Sequence, residues 1–75
     1  MESIKKYGLN ELLKKVMGKQ VYFKADCQFF AKEGIKGKVT EVTFSNGIPL
    51  FTTKTKDGRI IHVDGGMKNL TFEVL

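Results

Sequence analysis

Seventy-five residues with 13 lysines and arginines against 8 aspartates and glutamates carry a net charge of +5, which suits a polyanionic partner and leaves room for a single domain, since domains typically hold about 100–150 residues. Cys27 is the only cysteine, so an intramolecular disulfide is excluded and a reducing, cytoplasmic compartment is favoured over secretion. Met1–Lys6 leads into no long apolar run, so no signal peptide is expected, and no stretch approaches the roughly 20 apolar residues that span a bilayer.

Along the chain, residues 1–18 read as an N-terminal helical segment and 19–75 as β structure. Ile4–Tyr7 suits one loose helical turn. Leu9, Leu12, Leu13, Val16 and Met17 follow at i, i+3, i+4, i+7 and i+8, one face of a short helix. Asn10 stands at the expected N-cap, Glu11 in the first turn and Gly18 at the stop. A helix this short must dock its leucine face to persist.

Lys19 to Phe30 alternates with period two, which predicts a strand with Val21, Phe23, Ala25, Cys27 and Phe29 facing the core. Tyr22, Lys24, Asp26, Gln28 and Phe30 then face outward. Cys27 reads as a small buried apolar residue. Ala31–Gly34 is a connecting turn.

Residues 35–63 read as three strands joined by Asn46-Gly47 and Asp57-Gly58, dipeptides that accept positive φ at little cost. Ile35, Gly37 and Val39 lie on one face of the first of these strands, but Val42 and Phe44 lie on the other. A strand that swaps its buried face midway is bent or bulged, as at a barrel corner.

Two registers fit the Asn46-Gly47 hairpin. A two-residue turn sets Val42 opposite Phe51 and Phe44 opposite Pro49. A three-residue loop sets Val42 opposite Leu50 and Lys38 opposite Lys54, where like charges oppose it. Pro49 predicts that its strand lies at an edge, where its missing N–H is not needed. After Gly65-Gly66, residues 69–75 form a closing strand with Leu70, Phe72 and Val74 inward, paired with the strand that begins at Lys19.

The expected fold is therefore mainly β: a small five-stranded antiparallel barrel with a short N-terminal helix. Bent second strand, N-terminal helix and closing strand together resemble the Src-homology-3-like barrels of KOW, Tudor and Sm-type domains. Residues 37–50 are also similar to the barrel segment of flagellar hook-capping proteins. The resemblance implies a binding module for RNA, DNA or peptides.

Groups for catalysis are sparse. His62 and Cys27 fall short of the three or four ligands that a zinc site takes, and Gly65-Gly66 precedes no helix that would cradle a phosphate. No enzyme activity, catalytic residue, metal or cofactor is expected. The basic residues are better organised. Lys36 and Lys38 project to one side of their strand, Lys54 and Lys56 to one side of theirs, and Arg59 follows the next turn. Adjacent strands would gather these five cations as a nucleic-acid-binding face, with His62 nearby; otherwise they keep a solvent face soluble and protect strand edges. Tyr22 and Phe30 are the candidates for base stacking. The expected function is thus a non-enzymatic nucleic-acid-binding module. The alternative is a protein–protein adaptor or assembly subunit that presents the Leu12/Leu13/Val16 helix face, or the Pro49 strand edge, to a partner or a second copy.

Overall fold

A computed structural model describes residues 1–28 and 30–75. The chain runs β1 (Glu2–Ser3), a 3-10 turn (Ile4–Lys6), α1 (Leu9–Val16), β2 (Gln20–Lys24), β3 (Ile35–Ser45), β4 (Ile48–Lys54), β5 (Ile60–Asp64) and β6 (Thr71–Val74). The strands form one six-stranded antiparallel sheet in the order β1-β6-β2-β3-β4-β5. The fold is mainly β, as the alternation predicts, but it is not a closed five-stranded barrel. β6 does pair with β2, Phe23 opposite Phe72. Its other side is taken by Glu2–Ser3, a pairing too short to leave a period in the sequence. The two outer strands, β1 and β5, share no ladder.

The Asn46-Gly47 turn is the two-residue form, with φ of 53° and 78° at its two residues, the conformation that matches the twist of a hairpin. Val42 faces Phe51 and Phe44 faces Pro49. Lys38 nevertheless faces Lys54, because Thr40 is an extra residue between Val39 and Glu41 that shifts the register by one. Each of the two registers legible in the sequence therefore holds on its own side of the bulge. The bulge also explains the phase change, with Gly37 and Val39 buried before it and Val42 and Phe44 half-buried on the same face after it.

Pro49 does not mark an edge strand. β4 lies between β3 and β5, and Pro49 itself is buried. It is tolerated because its nitrogen falls beyond the last β4–β5 pair, Leu50 with Asp64, while its carbonyl accepts from Gly65 N at 2.7 Å. The Asp57-Gly58 turn is also longer than expected. Thr55 N donates to the Arg59 carbonyl at 2.9 Å, so Lys56, Asp57 and Gly58 all belong to the loop and Lys56 stands outside β4.

The strand from Lys19 ends at Lys24 rather than Phe30. Beyond Lys24 it has no ladder partner, since β3 begins opposite Phe23 and β6 opposite Lys24, and only a single backbone bond, from Asp26 N to the Lys68 carbonyl at 2.9 Å, ties it to the segment before β6. Ala25 and Cys27 are half-buried against the core, and Phe30 is buried rather than outward. Phe29 lies outside the described residues.

Val21, Phe23, Val39, Phe51, Val63 and Phe72 are buried on the inner face, and the Phe23 and Phe51 rings sit 5.1 Å apart. Leu12 and Val16 of α1 complete this core. The helix starts at a Gly8 N-cap, two residues before Asn10, and Gly8 offers no side chain to bond the first turn. The Tyr7 ring packs edge-on to Phe72 at 5.8 Å, and its hydroxyl donates to the Glu2 carboxylate. That bond holds the Glu2 carboxyl below its ordinary range and pushes the Tyr7 hydroxyl up. Among the described residues no helix is long and apolar enough to cross a membrane.

Candidate nucleic-acid interface

Lys36, Lys38 and Lys54 stand exposed on the outer face of the sheet because Gly37, Val39 and Thr53, their neighbours in sequence, face the core. Thr53 is fully buried, and its hydroxyl is satisfied by the Ile61 carbonyl at 2.6 Å. Lys38 is directly opposite Lys54, which brings their Cβ atoms to roughly 5 Å. Among the described residues, the only ion pairs are Lys6 with Glu2 and Arg59 with Asp57. Lys36, Lys38, Lys54 and Lys56 thus have no carboxylate within 4.0 Å.

Lys36, Lys56 and Arg59 line one open cleft of about 940 Å³ between the β2–β3 connection and the β4–β5 turn. Glu33 and Asp57 share it. Asp57 organises the turn: its carboxylate accepts from the Thr55 hydroxyl and from Arg59 Nε at 2.9 Å. The Thr55 bond, with the Arg59 charge added, holds the Asp57 carboxyl below its usual range. Arg59 N donates to Thr55 Oγ1 at 3.1 Å, closing the loop on itself. Arg59 is therefore partly committed to Asp57, whereas Lys36, Lys38, Lys54 and Lys56 have no ion-pair partner within 4.0 Å, although Lys36 lies over the Tyr22 ring.

The five predicted cations thus divide between the cleft, which takes Lys36, Lys56 and Arg59, and the Lys38–Lys54 pair on the adjoining sheet face. His62 is exposed on that face, with Nδ1 3.2 Å from Thr52 Oγ1. The stacking candidates do not join them. The Tyr22 hydroxyl donates to the Glu33 carbonyl at 2.6 Å, and Lys36 Nζ stands 5.5 Å from the Tyr22 ring centroid. Phe30 is only 6% exposed. The helix face proposed as a docking surface is likewise spent, because Leu12 and Val16 are 1% and 0% exposed.

Sequence reasoning missed the apolar side of this outer face. Ile48, Leu50 and Ile60 are 45%, 37% and 55% exposed there, and only the register, set by the bulge and the turn, shows which way they point. Among the described residues no group of three or more His, Cys, Asp or Glu side chains is placed to hold a metal. Comparison of the chain with protein-family models, curated proteins and solved structures found no match in any of the three.

Proposed function

We propose that the protein is a non-enzymatic binding module that contacts the phosphate backbone of nucleic acid through Lys36, Lys38, Lys54, Lys56 and Arg59. The observation that carries this reading is the Lys38–Lys54 pair, two like charges set opposite each other with no carboxylate within 4.0 Å. Such a pair destabilises a sheet, and a polyanion laid across it reverses the sign of that interaction. Lysine ammonium groups act on phosphates as point charges, supplying affinity with little sequence information. The engagement of Tyr22 and the burial of Phe30 leave the bases without an aromatic platform at this site, which further favours backbone contact over base readout.

The test is binding to short single- and double-stranded DNA and RNA at several salt concentrations. Neutralising five phosphates on a duplex gives a log–log salt slope of roughly −4 to −5. Absence of binding at low salt overturns the reading and leaves the lysines as a solvated face.

A further inference from the structure

His62 is the only histidine of the chain and stands outside the five cations. The β4–β5 register sets it directly opposite Thr52, on the outer face that also carries Lys54. Lys54 is its diagonal neighbour across the ladder, which puts their Cβ atoms roughly 7–8 Å apart. Both side chains are exposed and long enough to meet over that gap on one phosphate.

The His62 ring is already oriented. Its Nδ1 lies 3.2 Å from Thr52 Oγ1. A hydroxyl both donates and accepts, so this bond persists in either charge state of the ring. Thr52 donates to a bare Nδ1, and a protonated Nδ1 donates to Thr52. In both cases Nε2 carries an N–H.

Three charged groups surround the ring. Lys54 comes from β4, Asp64 stands two residues along β5 on the same face, and Glu41 of β3 lies beyond Thr52 in the same cross-strand row. The Asp64 carboxylate accepts from Gly66 N at 2.8 Å. Among the described residues no carboxylate lies within 4.0 Å of the ring nitrogens, and no strand pairs with the far side of β5. His62 thus stands where the lysine end of the face gives way to its acidic end.

We infer that His62 is a sixth contact of the nucleic-acid site, and that its protonation tunes the affinity of that site with pH. A phosphate seated at Lys54 accepts a hydrogen bond from His62 Nε2. When the ring gains its second proton, that bond becomes charge-assisted. Histidine changes charge between about pH 5 and 8, a range in which ordinary carboxylates, lysines and phosphodiesters do not. By linkage, binding then takes up a proton. The inference rests on the nucleic-acid reading and adds to it a residue and a regulation.

The test is the affinity of the full chain for short single- and double-stranded DNA and RNA at about pH 8 and about pH 5.5. The parent should bind about tenfold tighter at the lower pH, as one charge-assisted hydrogen bond warrants. Its log–log salt slope on a duplex should steepen there by about 0.9. His62→Gln keeps a neutral donor, and should match the parent at the higher pH and lose the gain at the lower. His62→Lys carries a fixed charge, and should bind as tightly at the higher pH as at the lower. Misfolding cannot imitate this pattern, since each variant equals the parent at one of the two pH values. Equal binding by the parent at both, or a gain on acidification that either variant retains, overturns the inference and leaves the five-cation site standing. No binding at either pH overturns that site and the inference with it.

Discussion

Lys54 carries opposite signs for folding and for binding. Facing Lys38, it costs the sheet cross-strand repulsion; facing a phosphate, it gains affinity. Lys54→Glu should therefore stabilise the fold by about 0.2–1 kcal/mol in urea titration and at the same time abolish nucleic-acid binding. A variant that lost both would place Lys54 in the structure rather than in the site. Asp57 gives the matching prediction for pH. Its carboxyl is held below the usual range, chiefly by the Thr55 hydroxyl and then by Arg59. A carboxyl whose pKa is lower folded than unfolded contributes stability above its unfolded value and loses it as pH falls through the folded one. Asp57→Asn should thus flatten the loss of stability below about pH 4, read as the midpoint of acid unfolding.

At the scale of elements, the hairpins were legible and the ends of the strands were not. Asn46-Gly47 carries its turn type in two residues, and the phase change between Val39 and Val42 carries the bulge. Ala25 to Gln28 alternates as well as any strand, yet has no ladder partner beyond the one bond from Asp26 N to the Lys68 carbonyl, and a missing partner strand leaves no local mark. Glu2–Ser3 is the reverse case, a strand made by the waiting edge of β6 rather than by its own pattern. Gly34 shows how a connection holds the cleft wall. Its φ is +82°, and a Cβ there would lie 2.3 Å from Tyr22 Cε1 and 2.7 Å from the Phe23 carbonyl. Gly34→Ala should lower stability by more than about 1–2 kcal/mol, from the left-handed backbone alone, with the contact adding to it. A thermal melt is the check, and an unchanged midpoint would mean that the loop shifts freely away from Tyr22.

For the molecule as a whole, the sequence shows how many cations there are, but not whether they meet. Composition gives the +5 charge, and alternation puts Lys36 and Lys38 on one side of their strand. Whether Lys54 faces Lys38 depends on a register that a single extra residue decides, and whether Lys56 joins the cleft depends on the turn holding three residues instead of two. The core was easier to read, since apolar periodicity survives small shifts: Val21, Phe23, Val39, Leu70 and Phe72 face inward as expected, while Val74, expected with them, is exposed at the end of β6. Docking surfaces were the least legible, because Leu12 and Val16 look alike in sequence whether they cover this core or await a partner.

Thr40 has one more consequence, for what a deletion would do. Every β3–β4 pair on either side of it is already aligned as though it were absent: Val39 with Thr53, then Glu41 with Thr52. Excising Thr40 would leave one uninterrupted alternation from Gly37 through Phe44 with no cross-strand partner changed. Apart from the hydroxyl's bond to the Thr52 carbonyl at 3.3 Å, only the bend would be lost. The stability of that shortened chain therefore measures the worth of curvature together with that one bond. If it folds as well as its parent, this domain needs the ladder and not the corner.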